Sequence, residues 1–101
     1  MKILPLVIAA IISDGTPLFK WQHINGSSLP VRIYCSQLWP QVTVYTLKFS
    51  IAETKTEHQS LLSDWSNGVY MCQARAVLNG TETVFSEPVS FTIRHFGSYE
   101  R

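Results

Sequence analysis

Two cysteines stand in this 101-residue chain, and each sits in a segment whose apolar and polar residues alternate. Cys35 ends the run Leu29, Val31, Ile33, Cys35 on one face, with Pro30, Arg32 and Tyr34 on the other. Cys72 shares a phase with Tyr70, Ala74 and Ala76 in the segment from Val69 to Val77. A period of two marks a strand buried on one side, so both thiols are expected to face a core. The interval between them holds about four or five short strands with their turns. Neither cysteine belongs to a Cys-x-x-Cys pair, which favours a structural bridge over a metal or redox site; the alternative is two buried free thiols. A bridge closing a loop of this length contributes roughly 3–4 kcal/mol, a useful supplement for a core this small.

Charge narrows the function classes. Eight Lys+Arg against seven Asp+Glu leave a net charge of +1, so there is no basic field to hold a phosphate backbone, and nucleic acid is not an expected partner. His23, His58 and His95 fall on three separate segments, and the carboxylates are scattered. No nucleophile elbow or glycine-rich phosphate loop is present. The chain therefore reads as a non-enzyme without metal or cofactor.

Met1-Lys2 precedes an apolar run from Ile3 to Ile12 and a small-residue exit at Ser13. Residues 1–13 fit either a secretory signal peptide or a first β-strand, because Leu4, Leu6 and Ile8 also alternate. The run is too short to span a bilayer, and no membrane insertion by the domain itself is expected. Two Asn-x-Ser/Thr sequons, Asn25-Gly26-Ser27 and Asn79-Gly80-Thr81, coincide with Asn-Gly turn signals and mark Asn25 and Asn79 as candidate glycosylation sites. Bridge, leader and sequons together point to a secreted or cell-surface protein. The expected layout is one domain over residues 14–96, with a tail at 97–101.

Short alternating segments recur along the chain without a sustained helical stripe. Pro17 to Ile24, Leu29 to Cys35, Val42 to Ile51, Val69 to Val77 and Val84 to Ile93 read as strands. The polar stretch from Ala52 to Ser60 reads as an edge strand or connection. Leu61 and Leu62 are expected to return to the core, with Trp65 at the corner before Gly68. The sum is an all-β sandwich of about seven antiparallel strands.

Cys35, the run Gly68-x-Tyr70-x-Cys72 and the terminal Ser86-Glu87-Pro88-Val89-Ser90-Phe91 resemble an immunoglobulin-superfamily domain, most nearly the extracellular domains of Fc receptors and Fc-receptor-like proteins. That resemblance implies an inter-sheet Cys35–Cys72 disulfide and a tyrosine corner built on Gly68 and Tyr70. Two departures stand out: Ser66 occupies the place of the usual corner aspartate, and Leu47 that of the core tryptophan. A second resemblance, to fibronectin type III, rests on Tyr70, Ala76, Ser86, Glu87, Pro88 and Phe91.

On a sandwich, binding chemistry sits in end loops held by rigid sheets. The loop Leu38-Trp39-Pro40-Gln41 is the candidate partner-binding surface, since a tryptophan and a proline give contact area at low entropy cost. By the resemblance, the Leu78 to Thr83 hairpin joins it, and the partner is a protein, an immunoglobulin or another surface protein. The competing reading has Trp39 folded back over the core edge in a structural or adhesion module with no ligand site of its own.

Overall fold

Alternation of buried and more exposed positions along the strands builds the inner sheet faces. The computed structural model describes residues 7–13, 16–22, 29–83 and 85–94. In β2 (Thr16–Gln22), Pro17, Phe19 and Trp21 are buried while Lys20 and Gln22 are exposed. Strand β2 pairs antiparallel with β1 (Val7–Ser13) on one side and with the short polar β5 (Glu57–Gln59) on the other, giving a three-stranded sheet. His23, Asn25, His95 and residues 97–101, which carry expectations above, lie outside the described residues.

The second sheet is built around β6 (Gly68–Leu78), in which Gly68, Tyr70, Cys72, Ala74 and Ala76 face inward. Strand β3 (Val31–Trp39) lies along one edge of β6 and carries β4 (Thr46–Ile51) on its far side. Along the other edge, β7 (Thr81–Glu82) pairs with the last residues of β6 and β8 (Val89–Ile93) with its first. The expected single strand from Val84 to Ile93 is thus shorter. Between Glu82 and Val89 backbone and side chain share the contact with β6: the Thr83 and Ser86 amides donate to the Ala76 and Ala74 carbonyls at 2.8 and 2.7 Å, and their hydroxyls accept from the Ala76 and Ala74 amides at 3.0 and 2.9 Å. The fold is all-β, two antiparallel sheets forming a sandwich.

The core is aromatic. Phe19 lies against Phe49, Trp65 and Phe91 with ring centroids 5.9–6.3 Å apart, and Trp65 meets Tyr70 at 5.0 Å. Each fully buried side chain of this kind contributes roughly 1.5–3 kcal/mol. The indole of Trp65 donates to Ser60 Oγ at 3.0 Å, and Ser60 donates in turn to the Pro17 carbonyl at 2.7 Å, so these buried polar atoms are linked.

The disulfide forms between Cys35 and Cys72, 37 residues apart in sequence and both buried. Its placement corrects the inter-sheet expectation. Cys35 and Cys72 are directly opposed in the β3–β6 ladder with Cα atoms 4.1 Å apart, so the bridge staples two neighbouring strands of one sheet. The inward phase of both residues was legible in their alternation; that they share a sheet depends on which strands pair.

Three further expectations are corrected. Only Thr46–Ile51 of the segment from Val42 is a strand, and Leu47, which the resemblance puts in the place of the core tryptophan, is exposed. Leu61 and Leu62 are exposed as well, because they enter a 3-10 turn (Leu62–Asp64) whose geometry is set by the Asp64 carboxylate accepting from the Leu61 amide at 2.8 Å, while Trp65 takes the core position. The Leu78 to Thr83 hairpin does not adjoin the Trp39 loop. Trp39 pairs with Val69 and Thr81 with Leu78, and the length of β6 between them is roughly 30 Å at about 3.3 Å per residue.

Candidate functional site

The exposure of Trp39 has a backbone cause. By simple alternation Trp39 would share the inward phase of Cys35. The β3–β6 register instead runs Gln37 to Tyr70 and then Trp39 to Val69, so Leu38 is an extra residue in β3, a β-bulge. One inserted residue reverses every later side chain. Trp39 thereby joins Val69 on the outer face and is 61% exposed. Leu38, Pro40 and Gln41 are exposed too, and the Trp39–Pro40 peptide is cis.

Gly68 seats this loop. At its φ of +157°, a Cβ would lie 2.3 Å from the Trp39 carbonyl oxygen and 2.6 Å from Gln37 Nε2, so only glycine lets the end of β3 approach the start of β6 this closely. Beyond Pro40 the chain returns through a tie between Gln37 and Thr43: the Thr43 amide donates to the Gln37 carbonyl at 2.9 Å, and the Gln37 amide donates to Thr43 Oγ1 at 2.8 Å. The strand-free link to β4 leaves Val42 76% and Val44 78% exposed. From Ile33 to Leu47 there is no charged residue. An uncharged strip of Leu38, Trp39, Pro40, Val42, Val44 and Leu47 thus lies in water on tethered backbone.

The tyrosine corner lies beside it. Buried Tyr70 donates its hydroxyl to the Ser66 carbonyl at 2.9 Å, and Ser66 Oγ is 2.9 Å from the same hydroxyl. Ser66, standing where the family resemblance has aspartate, therefore takes part in the corner directly.

The same outer face, toward the hairpin, carries an array not foreseen from the sequence. Glu82 on β7 accepts from Arg32 at 2.8 Å and from the Tyr34 hydroxyl through one carboxylate oxygen, and from Arg75 at 3.2 Å through the other. Arg75 also donates to the Thr83 carbonyl at 2.7 Å and lies over the Phe85 ring at 4.1 Å; Phe85 in turn contacts Tyr34 and Tyr45. The Tyr34 and Arg32 hydrogen bonds hold the Glu82 carboxyl below the usual carboxylate range. The Glu82 contact, with burial second, pushes the Tyr34 hydroxyl up. The signal available in the sequence was the outward phase of Arg32 and Tyr34; their partner on β7 depends on long-range pairing.

His58 packs on Phe49 with centroids 4.3 Å apart, and burial lowers its pKa. It lines an open hollow of about 480 Å³ with Ser50, Ile51, Lys55, Glu57 and Gln59, between β4 and β5. Among the described residues no group of three or more His, Cys, Asp or Glu is placed to hold a metal, and no helix is long and apolar enough to cross a membrane. No protein-family model matches the chain, and no curated protein sequence matches it.

Proposed function

We propose that the chain is an extracellular, glycosylated binding domain of a cell-surface or secreted immune-type receptor, which takes a protein partner through the loop at the Trp39 end of the sandwich. The observation that carries this reading is the uncharged strip from Leu38 to Leu47, exposed although Gly68, Thr43 and the β3 bulge hold its backbone. Exposed apolar clusters on a rigid scaffold are characteristic of protein contact sites, and tryptophan is the residue most enriched among energetic anchors. The Cys35–Cys72 bridge supports an oxidising compartment.

For the family, the cysteine positions depart from the immunoglobulin arrangement. Immunoglobulin domains bridge their second and sixth strands across the sheets; here the third and sixth strands are bridged within one sheet. A fibronectin-type or immunoglobulin-like module acting only as structure or adhesion spacer is the second reading, kept because the bridge lacks the immunoglobulin placement.

Binding of the secreted domain to immunoglobulin and to a panel of surface proteins, with wild type and Trp39→Ala in parallel, tests the proposal. The expected result is a partner whose affinity falls by about 2 kcal/mol or more, roughly thirty-fold, on substitution. Equal binding by both proteins would remove the loop from the site, and absence of any partner across the panel would favour the spacer.

A further inference from the structure

We propose that Asn79 is an N-glycan attachment site and that its sugar covers the end of the sandwich remote from the Trp39 loop. This rests on the extracellular reading above. Asn79-Gly80-Thr81 forms the apex of the β6–β7 hairpin, with Leu78 paired to Thr81. Asn79 has φ +52° and Gly80 φ +80°. Two successive left-handed residues make the tight hairpin turn that Asn-Gly favours. All three residues of the sequon are exposed, and a Cβ built on Gly80 meets nothing within 4 Å, so the apex projects into open space. The bridge is an independent pointer: the compartment in which Cys35 and Cys72 oxidise is also the one in which sequons are glycosylated.

The step is a group transfer. Asn79 Nδ2 forms a bond to C1 of the first sugar of a lipid-pyrophosphate-linked oligosaccharide, the bond from C1 to the pyrophosphate oxygen breaks, the amide nitrogen gives up one proton, and the lipid pyrophosphate leaves. Transfer precedes folding, so the folded domain need only accommodate the product, and the open apex does. Because β6 separates the hairpin from Trp39 by roughly 30 Å, the glycan shields the hairpin and leaves the apolar strip uncovered.

The full chain, expressed in eukaryotic cells behind a cleavable secretory leader, is examined by intact mass and peptide mapping before and after enzymatic deglycosylation. The expected result is a glycan mass on the Asn79 peptide that the amidase removes, converting Asn79 to Asp. Asn79→Gln and Thr81→Ala should lose it, Thr81→Ser should keep it, and none of the three should change Trp39-dependent binding. An unmodified Asn79 in the secreted, disulfide-bonded protein overturns the attachment site and leaves the Trp39 surface standing. A glycosylated Asn79 whose removal abolishes binding overturns the assignment of the two ends to separate tasks.

Discussion

The two ends of the outer face of the five-stranded sheet solve the problem of exposure in opposite ways. Toward the hairpin, Arg32, Tyr34, Arg75 and Glu82 satisfy one another, and Phe85 is covered by Arg75, Tyr34 and Tyr45. Toward the other end, Leu38, Trp39, Val42 and Val44 are left in water with no charge among them. The first arrangement spends its side chains on the fold. The second holds its backbone firmly and leaves its side chains for something else.

The bridge gives the largest expected effect, because it ties the two strands that carry both ends. Replacing Cys35 and Cys72 together by Ala should cost about 3–4 kcal/mol, read as a lower denaturant midpoint. A midpoint within error of wild type would mean that the β3–β6 ladder needs no staple.

Removal of the aromatic at the centre of the array comes next. Phe85→Ala should cost about 1–2 kcal/mol through the lost ring contacts and the uncovered Arg75. A neutral result would show the array to be surface decoration and erase the contrast between the ends.

Two tyrosines sharpen it further. Tyr70→Phe removes the hydrogen bond to the Ser66 carbonyl and should cost on the order of 1 kcal/mol. Among the described residues the buried Tyr45 hydroxyl has no hydrogen-bond partner, so Tyr45→Phe should be close to neutral or slightly stabilising. Equal losses in thermal melts of the two variants would contradict the assignment of partners.

The smallest effect is electrostatic. Glu82 titrates lower in the fold than in the unfolded chain, so in that interval unfolding takes up a proton. Its contribution is complete above about 4.5 and is lost as the pH falls through the lower folded value. Stability measured from pH 6 to pH 3 should fall less steeply at its acid end in Glu82→Gln than in wild type; parallel curves would show that Glu82 is not held by its partners.

What the sequence made legible was phase. Phe91, Cys35, Cys72, Tyr70 and Ala74 all point inward as their alternation requires, since a period of two needs no knowledge of neighbours. What it left hidden was pairing. The resemblance puts the cysteines across the sheets, and nothing in a single chain shows that the third and sixth strands lie side by side. Trp39 could be core or contact until the extra residue at Leu38 turned it outward, and a bulge depends on two strands while a sequence shows one. Leu61 and Leu62 misled for a related reason, as a 3-10 turn has no two-residue period to reveal which of its apolar residues face water.

The division of labour on the outer face is tested most directly by thermal unfolding of a domain in which Trp39, Val42 and Val44 are all changed to Ser. A strip that serves a partner rather than the fold predicts a melting temperature equal to wild type or slightly above it, with partner binding lost. A cooperative destabilisation comparable to removing the disulfide would contradict it, and would make the strip part of the core.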